Sequence, residues 1–232
     1  VGGTVSANAD FDTETLDPTD STVTVDTWRY VAFEIGFNTK RQTNLDLKEQ
    51  YAPQVGERLA ELTDTDLASI VTSILAANLV GNVDAPTRFD EDLAFASLLL
   101  LSDLNVPKED LSFFLPPIAF FEGLYKKDRW TAANMMGIPK SVLTTGYEFP
   151  ILGVPAYRST VLATTTTTYR AILAHKEWQG LVRQIKLGYE FASGVPAKRA
   201  TDMHFWHTWY GFGQLRSNHA VQIHVKRTRE SL

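Results

Sequence analysis

Residues 44–78 read NLDLKEQYAPQVGERLAELTDTDLASIVTSILAAN, the longest stretch of the chain with one continuous helical pattern. Leu45, Tyr51, Val55, Leu59, Leu62, Leu67, Ile70, Val71 and Ile74 recur mostly at three- and four-residue spacing, which places them on one helical face. Lys48, Glu49, Glu57, Arg58, Glu61, Asp64 and Asp66 fill the gaps. At about 1.5 Å per residue such a helix is a rod of roughly 45 to 50 Å, longer than the ~30 Å of a small domain. A rod of that length must lie along something extended, so the pattern predicts an elongated building block rather than the wall of a pocket. Pro53 and Gly56 fall within it, so the first turns are expected to kink and the firm part to run from about Gln54 to Ala77.

Before the rod lies an acidic segment. Residues 1–28 hold Asp10, Asp12, Glu14, Asp17, Asp20 and Asp26 and no Lys or Arg. Its first twenty residues are small and polar, with Gly2, Gly3 and Pro18, and read as an exposed arm or loop. STVTVDTWRYVAFEIG follows, with β-branched and aromatic residues at period two, which predicts a strand. Arm and strand together are expected to form a hairpin reaching away from a body.

After the rod, 90–104 predicts a second helix, apolar nearly all round and therefore buried on most sides, with Asp90, Glu91 and Asp92 at its start. SFFLPP at 112–117 reads as a short buried strand ended by prolines. Short helices are expected at 118–125 and 130–136, and short strands at 142–145, 147–151 and 154–159. The five threonines 164–168 read as an exposed edge. The stripe Ile172, Leu173, Trp178, Leu181 and Val182 predicts a helix over 169–185. MHFWHTWYGFGQLR and HAVQIHVKR are expected to be two strands flanking Ser217 and Asn218. The order is that of an α+β fold, with no repeat at solenoid spacing.

The 232 residues contain no cysteine, which excludes disulfides and thiolate metal sites. The net charge of −5 argues against tight binding of duplex nucleic acid. No run of 18 apolar residues is present to span a membrane. The chain starts at Val1, as expected of a processed chain or a fragment. From Lys198 onward Lys198, Arg199, Arg216, Lys226, Arg227 and Arg229 face only Asp202 and Glu230. The charge split is consistent with two solvated faces, or with attraction between opposite ends of neighbouring copies.

Catalytic signals are absent: no G-x-S-x-G, P-loop or dinucleotide fingerprint occurs. A metal site could pair His204 and His207, or His219 and His224, with Asp202. Strand parity sends each pair to opposite faces, and no zinc-type spacing occurs. His175, Lys176 and Glu177 are expected on a solvated helical face. Gly211 and Gly213 are expected to let strands bend or pack closely. Phe205, Trp206, Trp209, Tyr210 and Phe212 are expected in a core or subunit interface. No catalytic residue, cofactor or metal ligand is expected.

The succession of segments also resembles a known family. TVTVDTWRYVAFEIG followed by YAPQVGERLAELTDTDLASIV, then FFLPPIAFFEGLYKKDRW, GYEFPILGVPAYRST, AILAHKEWQGLVRQI and HTWYGFGQLRSNHAVQI, in that order, is similar to the major capsid proteins of tailed bacteriophages with the Hong Kong 97-type fold. The resemblance implies an extended arm and loop over 1–43, a spine helix of a peripheral domain over 44–80, an axial domain over 81–200 and return strands of the peripheral domain over 201–232. It implies a structural protein of the virion, assembled in the host cytoplasm as pentamers and hexamers into an icosahedral shell around double-stranded DNA. Further partners would be portal, scaffolding and decoration proteins. Some members crosslink a Lys to an Asn between subunits, and no Lys here matches that chemistry. Val23, Val25, Trp28 and Tyr30 are expected as arm contacts, and Lys40, Arg41, Arg58, Lys226 and Arg227 as partners of a neighbour's acidic arm. The alternatives are an encapsulin-type nanocompartment shell, a metal-dependent enzyme using the C-terminal histidines, and a virion accessory or tail-tube protein.

Overall fold

A computed structural model describes residues 22–36, 39, 47–124, 150–193 and 201–228. The acidic residues Asp10, Asp12, Glu14, Asp17 and Asp20, the basic Lys40 and Arg41, and the elements expected at 130–136, 142–145 and most of 147–151 lie outside them.

The long helix, α1, spans Leu47–Ser69 and runs through Pro53. Proline removes one backbone hydrogen bond near the exposed start of the helix, and the chain does not break there. The α-helix ends sooner than its apolar stripe: Ile70–Ser73 and Ala76–Asn78 are 3-10 turns. The hydroxyls of Ser69, Thr72 and Ser73 bond back to backbone carbonyls three residues earlier, a local competition with the helical ladder.

Two sheets share the strands. Strand β1 (Thr27–Gly36) pairs antiparallel with β7 (Thr201–Gln214), and β7 with β6 (Gln179–Ser193), in the order β1-β7-β6. The strand expected in a projecting hairpin is thus the edge of this sheet. The second sheet has the order β2-β8-β5-β3-β4, from β2 (Leu79–Val80), β3 (Leu111–Leu115), β4 (Ala156–Arg158), β5 (Thr168–His175) and β8 (Ala220–Lys226). Its β3–β5 and β5–β8 pairs are antiparallel and its two edge pairs parallel.

The helix expected over 169–185 is therefore two strands, β5 and β6, joined by a turn at Lys176–Trp178. Strand β5 lies inside its sheet, and Ala171–His175 are all buried, so its apolar residues do not alternate. In β6 the register shifts between Arg183 and Ile185 and again before Gly188, which breaks the period of two. Thr164, Thr166 and Thr167 are exposed, as expected of the threonine run, while Thr168 is fully buried and opens β5. A boundary at residue 200 would cut the hydrogen-bonded pair β6–β7, while β8 belongs to the other sheet.

The largest core lies between the five-stranded sheet and helix α2 (Glu91–Asp103), with Phe89, Leu101, Phe113, Phe120, Leu173 and Ile223 inside. Asp90 caps α2, its carboxylate accepting from the Leu93 N–H at 3.1 Å. The helix is less enclosed than its composition predicts: Phe95 is 55% and Leu99 63% exposed. Ala119–Leu124 forms a wide π-helical turn where a short helix is expected. A second cluster joins Val71, Ile74, Trp178 and Ala220, which lie on or beside the three connections that pass between the sheets.

Helix α1 covers one face of the three-stranded sheet through Val55 and Leu59, which meet Val31, Phe33 and Trp206. At its far end Asp66 ties three elements together. Arg29 of β1 donates to both carboxylate oxygens at 2.7 and 2.6 Å, and the Tyr210 hydroxyl of β7 donates at 2.6 Å. Burial disfavours the Asp66 charge, but the bonds from Arg29 and Tyr210 outweigh it and hold the carboxyl below its ordinary value. Hydrogen bonding to Asp66 raises Arg29 in turn. Burial, followed by the bond to Asp66, pushes the Tyr210 hydroxyl up.

The glycine pair in β7 has a steric reason. A Cβ on Gly211 would lie 2.0 Å from the Thr24 carbonyl oxygen, so segment 22–26 packs directly on bare backbone. A Cβ on Gly213 would meet only Val23 Cγ2, at 3.5 Å. Gly211→Ala should destabilise the protein by about 1–3 kcal/mol in denaturant titration, and Gly213→Ala should be close to neutral. Asp66→Asn should cost about 1–3 kcal/mol near neutral pH. Because the folded carboxyl titrates below its ordinary 3.8, its contribution is complete above that value and lost as pH falls through the folded pKa. The stability gap between wild type and Asp66→Asn, measured from pH 7 to pH 2, should narrow only below about pH 4.

Candidate assembly surface

Strand parity divides the three-stranded sheet into a covered and an open face. Arg29, Val31, Phe33 and Ile35 alternate with Trp28, Tyr30, Ala32 and Glu34 along β1. The first set turns toward α1 and the second away from it. On β7, His204, Trp206, Thr208 and Tyr210 lie on the helix side, while Phe205, His207 and Trp209 share the other face. The register sets Trp28 opposite Trp209, and Tyr30 opposite His207.

The open face is aromatic. Trp28 is 57% and Tyr30 59% exposed, and Trp209 is also exposed. The Trp28 ring lies 5.8 Å from that of Tyr30 and edge-on to His207 at 6.1 Å. Val182 of β6 is exposed as well. Aromatic side chains of this kind carry much of the binding energy where protein surfaces meet. Phe114 and Tyr157, stacked at 5.7 Å on the β3–β4 edge, form a second exposed aromatic pair.

The residues expected as contacts separate. Trp28 and Tyr30 are on the open face. Val23 and Val25 are half-buried on the chain's own β7, beside Gly211 and Gly213. Arg58, exposed on α1, bonds Glu61 at 2.5 Å. Lys226 ends β8 and its backbone N–H donates to Thr87. Arg227 donates to the Thr165 carbonyl at 3.0 Å and lies over the Tyr169 ring at 6.0 Å. The structure therefore does not gather Arg58 with Lys226 and Arg227 into one basic patch.

The histidines divide as parity predicts for the first pair. His204 receives or donates a 2.8 Å bond with the Tyr189 hydroxyl and stacks on Phe33, whereas His207 lies on the other face. His224 is buried in β8 beside Gln222, and burial followed by the Arg170 charge lowers its pKa. His175, Lys176 and Glu177 are not on a helix. His175 is buried at the end of β5, Lys176 pairs with Asp110, and the His175 ring meets His219 at 5.5 Å. Burial, then Arg216, lowers the His219 pKa.

A mostly apolar groove runs between α1 and the β3–β4 edge, lined by Leu67, Phe114, Tyr157, Trp178 and Gln179 among others. Its polar lining consists of Asp64, Arg158, Ser159 and Gln179, with no histidine.

No protein-family model matches the chain, and no curated protein matches it in sequence. Solved structures do match. A Mycobacterium phage Che8 structure superposes with a TM-score of 0.72 at 19% identity, over 87% of this chain and 71% of that one. The capsid of cyanophage P-SCSP1u matches at 0.68 and 16% identity, over 96% and 81%. The SrpI encapsulin of Synechococcus elongatus matches at 0.63 and 15% identity, over 89% and 76%. At these identities the likeness is one of backbone architecture: the chain has the Hong Kong 97-type capsid fold found in the shells of tailed phages and in encapsulins.

Proposed function

We propose that the chain is a major capsid protein, the repeating structural unit of an icosahedral phage head that encloses double-stranded DNA. The observation that carries this reading is the superposition on phage structures over 87% and 96% of the chain. Copies associate as pentamers and hexamers, so one surface must serve two local symmetries. The chain acts as a structural component of the virion and not as an enzyme, and assembly takes place in the host cytoplasm. Its partners are other copies, then portal, scaffolding and decoration proteins. DNA is enclosed without sequence-specific binding, in keeping with the net charge of −5.

Within that unit, α1 is the spine of the peripheral domain, and β1, β6 and β7 are its strands. The five-stranded sheet with α2 is the axial domain, where exposed Phe95 and Leu99 have neighbours to meet. The open aromatic face of β1 and β7 is a contact with an adjacent copy. The acidic residues Asp10, Asp12, Glu14 and Asp17 pair with a neighbour's basic residues, drawn from Lys40, Arg41, Arg58, Lys226 and Arg227.

A second reading, an encapsulin-type compartment, draws on the match to SrpI at 0.63, below those of the two phage structures. Negative-stain microscopy of particles purified from the native source separates the two. Heads with DNA and a tail are expected; tailless shells filled with protein would favour the compartment.

Trp28→Ala combined with Tyr30→Ala should leave the circular dichroism spectrum and monomer fold intact while blocking or weakening shell formation. Shells of unchanged yield and melting temperature would remove these residues from the interface. Neutralising Asp10, Asp12, Glu14 and Asp17 together should lower shell stability at low salt and have less effect at 1 M salt, where screening shortens to about 3 Å.

A further inference from the structure

The junction between the two sheets holds a cluster that shell building does not require. The register pairs Ala174 of β5 with Ala220 of β8, and the next residues outward, His175 and His219, face each other at the sheet end. Glu177 follows on the β5–β6 turn. One nitrogen from each ring and a Glu177 carboxylate oxygen all lie within 4.8 Å of one another.

The backbone around them is fixed from both sides. The Trp178 N–H donates to the His175 carbonyl at 2.9 Å, and the Trp178 carbonyl accepts from Leu215 at 2.8 Å and Arg216 at 3.3 Å. The His219 N–H donates to the Arg216 carbonyl at 3.2 Å. Turn and loop are thus bonded to each other, and only side-chain rotation is needed to close the three ligand atoms further.

Two observations point to a cation as the missing partner. Nδ1 of His219 is shut off from solvent and has no hydrogen-bond partner, a state that calls for a physical reason in a folded protein. The other observation is what now faces the cluster: the Arg216 guanidinium, 3.3 Å from Glu177 Oε2 and 3.5 Å from His219 Nε2. A positive group therefore already sits against the Glu177 carboxylate and one ring nitrogen of His219, through contacts too long to satisfy them well. Both side chains of the Arg216–Glu177 pair are about half exposed, so exchanging it for another cation costs little.

The geometry points to a structural divalent-metal site formed by His175, Glu177 and His219, taking zinc or a similar imidazole-preferring ion in place of the Arg216 guanidinium. Two imidazoles and one carboxylate are a zinc donor set, and water completes the tetrahedron at bond lengths of about 2.0–2.2 Å. The ion would clamp the β5–β6 turn to the β7–β8 loop. The role assigned to the ion is structural.

The test is calorimetric titration of chelator-treated protein with zinc chloride, with thermal unfolding read in parallel. One zinc per chain and a rise in melting temperature are expected. Glu177→Gln should weaken binding by about 100-fold or more, since even outer partners of a metal ligand are worth 10- to 100-fold. Arg216→Ala should tighten it, because the competing cation is gone. Both substituted residues are about half exposed in their side chains, so the fold survives either change. No zinc uptake, or affinities unchanged in both variants, would overturn the assignment. Binding that is lost only when His204, His207 or His224 is replaced would overturn it too, by placing the metal elsewhere.

Discussion

Three strands and one helix make a two-layer unit with a single interior. Helix α1 can bury one face of the β1-β7-β6 sheet, and Val55, Leu59, Val31, Phe33 and Trp206 fill that layer. The other face then has to be polar, or be covered by something else. Trp28 and Tyr30 on that face are more than half exposed, and Trp209 and Val182 continue the apolar character. An exposed aromatic face of this kind marks a surface that meets a partner.

The polar contact that holds this unit is economical. One carboxylate, Asp66, receives the edge strand through Arg29 and the central strand through Tyr210. It therefore fixes the tilt of the helix across the sheet as well as its distance. The hydrophobic layer alone would allow the helix to slide along the strands, because apolar contact is non-directional. Bidentate hydrogen bonding to a guanidinium is not.

Much of the fold is legible in the residues, and the failures share a cause. Strands β1 and β7 read correctly from their composition and alternation, and helix α2 is placed correctly although its apolar surround overstates its burial. The segment 169–185 does not. Strand β5 is enclosed within its sheet, so AILAH is a continuous apolar run that fits a buried helix equally well. In β6 Leu181, Val182 and Ile185 stand at helical spacing, and the register shifts let a strand accommodate it. The turn between them, Lys176–Glu177–Trp178, contains no glycine, proline or asparagine to mark it. The same error hid the His175–His219 pair, which exists only once β5 and β8 are neighbours. The alternation that sets Trp28 and Tyr30 on one face of β1 is visible in the sequence. The tie at Asp66 is not, because its partners come from positions 29 and 210 and depend on the register that sets Thr27 opposite Tyr210.

The chain passes between the two sheets three times, by way of residues 70–78, 176–178 and 215–219, and the second hydrophobic cluster gathers all three passages around Val71, Ile74, Trp178 and Ala220. Two bodies joined by one strand can swivel, and joined by two can still fold about the line between them. Three attachments packed into one apolar knot leave no free axis. The waist between the sheets is thus a packed joint and not a lone linker.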